Sequence, residues 1–148
     1  MFNSKTWHIG EKLAADYLKR NGYKILLTND KLAGSEVDIV ALFSKKRVID
    51  NLISDYKAGK LQKQSFEAAK KQATDIVVFV EVKARSSTNF GRPEEAVTPA
   101  KQAHIKRYAR AFLAKNKLDN VEVRFDVVSV LLGQNVDAND IEHIENAF

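Results

Sequence analysis

With 148 residues the chain is long enough for one domain around one core, without staples of metal or disulfide. It has no cysteine, which excludes a disulfide framework, a zinc-thiolate centre and a thiol nucleophile. The formal charge of +5 and a pI near 9.4 lean toward a polyanionic partner such as nucleic acid, and the charge is unevenly spread. Residues 44–75 hold eight Lys/Arg against four Asp/Glu, a net +4, and residues 99–118 hold six Lys/Arg and no acid.

The first twenty residues are interrupted by Lys5, His8, Glu11, Lys12 and Asp16, so no signal-peptide core is expected there. The longest apolar run, Ile76 to Val80, is too short for a membrane span, and a cytoplasmic protein is the expectation. Residues 5–21 predict an amphipathic helix that stops at Asn21-Gly22. Tyr23 to Thr28 reads as a short strand, Asn29 to Ser35 as a polar turn, and Glu36 to Phe43 as a second strand. Residues 44–75 lack strand alternation and carry Gly59 between two helix-compatible segments. They predict a basic helical insertion in a single domain spanning 1–148.

Ile76 to Lys83 is apolar on both faces for most of its length, which predicts a central strand covered on both sides. Arg85 to Val97 reads as a loop. Thr98-Pro99 then supplies an N-cap and a first-position proline for a helix to about Lys117. Val121 to Leu132 predicts a long strand and Ile141 to Ile144 a short last one. The expected fold is α/β, a central mixed β-sheet flanked by helices.

Period-two alternation puts Glu81 and Lys83 on the face of Val77 and Phe79, and Asp38 on the face of Val40 and Leu42. Charges among such neighbours are costly unless paired or bound to an ion. Two carboxylates on adjacent strands can hold Mg²⁺ and leave positions for water and a phosphate oxygen. A lysine two residues after the second acid can orient that water or stabilise developing negative charge. A cross-strand salt bridge of Lys83 with Glu81 or Asp38 accounts for the same pattern. Glu11 falls in the apolar stripe of the first helix with Ala14, Ala15 and Leu18, either as a third acid or as a complement to the helix dipole.

In the later helix Ile105, Ala109 and Phe112 form the core face. Lys106, Arg107 and Arg110 lie off it, where they can meet backbone phosphates or simply face solvent. Lys101 and Arg85 join them as expected nucleic-acid contacts, and Gln102 and Tyr108 are placed no more closely than on this helix. Asp126 shares a strand face with Arg124, which predicts a structural ion pair. His8, His104 and His143 lack metal-ligand spacing and read as surface or helix-end residues.

Several runs together resemble the YraN-type uncharacterised proteins: Gly10 to Leu18, Gly22 to Leu26, Glu36 to Ala41, Val78 to Arg85, Phe90 to Val97, Arg124 to Val128 and Ile141 to Phe148. That family is similar to the restriction-endonuclease-like (PD-(D/E)xK) superfamily, and within it to archaeal Holliday-junction resolvases. The resemblance implies a restriction-endonuclease-like fold and a divalent-metal-dependent endonuclease using Mg²⁺ or Mn²⁺ on DNA, branched or damaged DNA included. Asp38 and Glu81 then become metal ligands with the Val82 carbonyl, Lys83 the catalytic lysine and Glu11 the helix-borne acid. Resolvase-like relatives act as dimers, so a homodimer is the matching expectation. The alternative is a non-catalytic nucleic-acid-binding module that keeps the fold. Ser35 stands where the family usually has glycine, Ala84 where it has threonine, and residues 44–75 replace a short hairpin, positioned to cover, extend or obstruct a substrate channel.

Overall fold

A computed structural model describes residues 4–86, 91–133 and 139–148. Helix α1 spans Ser4–Arg20 and stops where the sequence places its stop. There the Tyr23 N–H returns to the Leu18 carbonyl at 3.0 Å and the Gly22 N–H to that of Lys19 at 3.1 Å. Strands β1 (Lys24–Leu32) and β2 (Ser35–Phe43) follow, then helices α2 (Lys45–Lys57) and α3 (Lys63–Gln72), strand β3 (Ile76–Arg85), helix α4 (Pro99–Lys115), and strands β4 (Glu122–Leu132) and β5 (Asn139–Ile144). Thr98 caps α4 by accepting the Lys101 N–H at 3.2 Å.

The five strands form one mixed sheet in sequence order, antiparallel except for the β3–β4 pair, whose connection carries α4 across the sheet. Ala14, Ala15 and Leu18 of α1 pack on Ile39, Ala41, Val78, Val80, Val82, Val128 and Val130. On the other face, Ile105, Tyr108, Ala109 and Phe112 of α4 pack on Val40, Val77, Phe79 and Val127. Helices on both faces explain why β3 is apolar from Ile76 to Val80. None of the described helices is long and apolar enough to cross a membrane.

Three local expectations are corrected. The polar run Asn29 to Ser35 is strand up to Leu32, and the turn is the pair Ala33-Gly34, with φ of 53° and 73°. Positive φ at both central residues is the two-residue hairpin geometry that matches strand twist. Asn29, Asp30 and Lys31 are polar because they serve other groups: Asp30 accepts the hydroxyl of buried Tyr108, and Asn29 and Lys31 line a cleft. Ser35 lies after the turn, outside the positive-φ positions, so a side chain is accommodated there.

The second correction concerns His143, a part-buried β5 residue whose side chain is turned inward. Its Nε2 is 2.7 Å from Asp126 Oδ2, and Arg124 Nε donates to Asp126 Oδ1 at 2.8 Å, so the expected Arg124–Asp126 pair is one part of a larger network. Third, the loop expected over Arg85 to Val97 contains a 3₁₀ turn at Pro93–Ala96, and its residues 87–90, Phe90 among them, lie outside the described residues.

The segment 44–75 holds helices α2 and α3. It leaves β2 after Phe43 and returns at Ile76, a cross-strand pair at one end of the sheet. Asp38 is five residues back along β2, about 17 Å at strand rise. The insertion thus emerges at the end of the strands away from the acids, and α2 and α3 pack chiefly on each other, with Tyr56 stacked on Phe66 at 4.7 Å.

Candidate active site

The β2–β3 ladder ends at Ile39–Val80, and one further step along the same register sets Asp38 opposite Glu81. The backbone exchange is replaced there by a side chain: Asp38 Oδ2 accepts the Val82 N–H at 2.8 Å. Glu81 is 2% exposed, with Lys83 Nζ 3.2 Å from Oε1. Lys101, held in the first turn of α4 by the Thr98 cap, brings Nζ to 3.6 Å from Oε2. That separation is beyond hydrogen-bond reach, and Oε2 is a buried oxygen without a hydrogen-bond partner. Burial, then the negative charge of Glu81, pushes the Asp38 carboxyl up to about 7, against the lowering effects of the Val82 N–H and Lys101. The salt-bridge reading of Lys83 and the convergence of acids are therefore both present in one cluster.

Glu11 reaches the same end of the sheet from α1 and is buried. Asn29 Nδ2 donates to its Oε2 at 2.8 Å, His8 Nδ1 lies 3.6 Å from that oxygen, and Oε1 has no hydrogen-bond partner. Asn29 takes φ 50° within β1, a left-handed conformation that asparagine tolerates better than most residues and that is often retained at functional positions. The depth of Glu11 depends on Gly10. A Cβ added at Gly10 would stand 2.8 Å from the Ala84 Cβ, so α1 approaches β3 as closely as two small residues permit. Alanine at position 84, in place of a larger threonine, belongs to the same contact.

Gly10→Ala should destabilise the protein by about 1 kcal/mol. Overpacking costs roughly 1–3 kcal/mol, and the gain in helix propensity returns only about 0.5–1 kcal/mol. Adding Ala84→Gly should recover part of the loss in urea unfolding. Two losses that simply add would show that the contact is not shared.

A cavity of about 720 Å³ opens at this end of the sheet, lined among others by Trp7, His8, Asn29, Lys31, Glu36, Asp38, Glu81, Lys83 and Lys101, with Lys31 Nζ 3.7 Å from Glu36 Oε2, and by no residue of 44–75. Of the cations expected to meet phosphates, Lys101 lies in this cleft. Arg107 and Arg110 are exposed on α4 outside its lining. Lys106 lies over the rings of Phe125 and Phe148, at 5.8 and 5.9 Å. The Arg85 guanidinium donates to the carbonyl oxygens of Gly91 at 2.8 Å and Arg92 at 3.5 Å, bracing the loop. Gln102 and Tyr108 do not line the cleft: they bond the Val97 carbonyl and Asp30. Among the described residues no group of three or more His, Cys, Asp or Glu side chains is gathered closely enough to hold a metal unaided. Two acids with open oxygens and a lysine still suit Mg²⁺, which is commonly held by one or two carboxylates and completed by water and substrate oxygens.

Asn29, Lys31, His8 and Trp7 were not anticipated at the site. Asn29 and Lys31 were hidden by the resemblance of their run to a turn. His8 was visible only as a helical neighbour three residues before Glu11.

Residues 10–130 match the family described as "Uncharacterised protein family UPF0102". The chain is similar to the UPF0102 protein of Trichlorobacter lovleyi, 38% identical over 146 residues that cover 99% of this chain and 91% of the relative. The UPF0102 protein of Acetivibrio thermocellus is 35% identical over 144 residues, covering 95% and 88%. That of Caldanaerobacter subterraneus subsp. tengcongensis is 34% identical over 148 residues, covering 99% and 97%.

Proposed function

The chain belongs to the UPF0102 family, the YraN-type proteins its motifs resemble, and from the site it carries we propose that it is a divalent-metal-dependent endonuclease acting on DNA. The fold in this reading is the restriction-endonuclease-like one. The observation that carries it is the pair Asp38 and Glu81 at facing strand positions, with a buried Glu81 oxygen left without a hydrogen-bond partner on the floor of a cleft that also exposes Lys83 and Lys101. A buried carboxylate oxygen that accepts no hydrogen bond costs stability, so its retention argues for a task.

Asp38, Glu81 and the Val82 carbonyl would hold Mg²⁺ or Mn²⁺, with Glu11 close by. Such an ion, when bound, polarises the phosphate and lowers the pKa of a bound water. The chain's own groups supply the rest. The Val82 N–H fixes one Asp38 oxygen and leaves the other free to turn toward a ligand. The Lys83 ammonium stabilises negative charge developing on the phosphate oxygens. Lys101 and Lys31 seat phosphates of the strand from the α4 and β1 sides of the cleft. Asn29 holds Glu11 in position.

The second reading, a binding module without turnover, draws on the engagement of both Lys83 and Lys101 with Glu81, which already neutralises that acid. The test is incubation of labelled single-stranded, duplex and four-way DNA with the protein in Mg²⁺, Mn²⁺ or chelator. Metal-dependent cleavage, lowered on the order of 10²-fold or more by Lys83→Ala, supports the nuclease. Salt-sensitive binding with no cleavage in either metal supports the module.

A further inference from the structure

We propose that Trp7 is a stacking platform for an unpaired base, so that the substrate class is a nucleic acid single-stranded where it crosses the cleft: a gap, a flap or a frayed junction arm. The inference rests on the nucleic-acid reading of the cleft and adds to it which part of the polymer enters.

The apolar stripe of α1 runs Leu18, Ala15 and Ala14 to Glu11, and then one turn further to Trp7. Leu18, Ala15 and Ala14 are buried on the sheet, whereas Trp7 lies outside that core and in the wall of the cleft. It remains 36% exposed, and among the described residues it has no aromatic partner. A large ring left this open is unusual for core packing, and its surroundings are chemically specific. Lys31, Lys83 and Lys101 share the cleft with it, Lys31 beside Glu36 at 3.7 Å and the other two beside Glu81 at 3.2 and 3.6 Å, and buried Glu11 lies one turn (about 5.4 Å) along the same helix.

Cations meet phosphates of any nucleic acid, duplex or not. A ring face is different, because duplex bases already have both faces stacked and only a displaced or single-stranded base can lie on an indole. In a cleft lined by lysines and carboxylates together, the open indole is therefore the group that discriminates, by strandedness rather than by sequence.

Trp7 is the only tryptophan in the chain, so intrinsic emission reports on this position alone. The intact protein, with metal chelated to prevent turnover, is titrated with a dye-labelled single strand, a duplex carrying a short gap and a blunt duplex. Anisotropy of the dye measures binding while tryptophan emission is followed in parallel. Quenching by the single strand and the gapped duplex, without quenching by the blunt duplex, is the expected result. Trp7→Ala should weaken single-strand binding on the order of tenfold and leave blunt-duplex binding within about twofold, while Trp7→Phe retains most of the affinity. Single-strand binding without quenching overturns the stacking assignment, as does a Trp7→Ala variant of unaltered melting temperature that loses both ligands equally. If wild-type protein cleaves DNA in Mg²⁺ yet shows no quenching, the stacking proposal alone falls. If it neither binds nor cleaves any of the three, the nucleic-acid reading falls with it.

Discussion

Glu81→Gln should lower metal-dependent cleavage on the order of 10³-fold while leaving the fold about as stable as the parent. The substitution keeps the shape of the side chain and removes a charge from a buried site shared with Asp38. Its cost is the loss of contacts to Lys83 and Lys101. The Gln amide oxygen can still accept from Lys83, and the lysine side chains, 22% and 28% exposed, keep access to water, so the loss should stay on the order of 1–2 kcal/mol. Against it stands relief of repulsion: burial first, and the Glu81 charge second, hold the Asp38 carboxyl at about 7 instead of 3.8.

The sign of the pH dependence follows from that shift. Between about 4 and 7 the native metal-free protein keeps a proton on Asp38 that the unfolded chain has already released, so stability falls as pH rises through that window. Glu81→Gln should make the fall shallower, and a bound divalent cation should remove it by favouring the carboxylate. Urea unfolding at pH 5 and pH 8, with and without Mg²⁺, measures all three effects. Wild-type stability that rises across the window without metal, or cleavage by the variant within tenfold of the parent, would refute this account of the site.

Asp126→Ala should cost about 3–5 kcal/mol. Asp126 is 0% exposed, and both its oxygens are used. Oδ1 accepts from Arg124 Nε at 2.8 Å and the Asn146 N–H at 3.0 Å, and Oδ2 meets Arg124 Nη2 at 2.8 Å and His143 Nε2 at 2.7 Å. Removal takes the bidentate partner from a largely buried guanidinium, leaving it Tyr23 Oη at 2.6 Å and Glu145 Oε1 at 3.4 Å, and loosens the Asn146 contact beside the Ala147 N–H bond to the Phe125 carbonyl. Burial alone would raise the Asp126 carboxyl. The bonds from His143, Arg124 and the Asn146 N–H outweigh it and hold the group below its ordinary 3.8. Its contribution is therefore present above about pH 4 and is lost as pH falls through the lower folded value. Asp126→Asn, which keeps the shape, should show a smaller loss and a flatter acid limb in thermal unfolding followed by circular dichroism. Asp126 lies outside the cleft lining, so cleavage per folded molecule should be unchanged. An alanine variant within about 1 kcal/mol of the parent would mean that the network contributes little.

What the sequence made legible was whatever a local period encodes. Alternation along β2 and β3 set Asp38, Glu81 and Lys83 toward the α4 side, and Thr98-Pro99 announced the start of α4. What stayed hidden depends on distant partners. Asn29 looked like a turn residue because its reason for being polar, Glu11, is eighteen positions away on another element. His143 looked like a surface residue because Asp126, which makes burying it favourable, sits seventeen positions earlier. Gly10 is explained only by Ala84, across a helix–strand contact that no window of sequence contains. Lys101 was expected to contact phosphate, but its approach to Glu81 required the register of α4 against the sheet.

The exit of residues 44–75 at the Phe43–Ile76 pair gives this architecture an evolutionary freedom. Facing residues of an antiparallel ladder are about 5 Å apart, so a tight turn can close the same gap that two helices now bridge. A hairpin, or a different module, can therefore stand in place of this appendage while the cleft over Asp38 and Glu81, at the opposite end of the strands, keeps its geometry. Reach and tethering at one end are thereby decoupled from the arrangement of groups at the other.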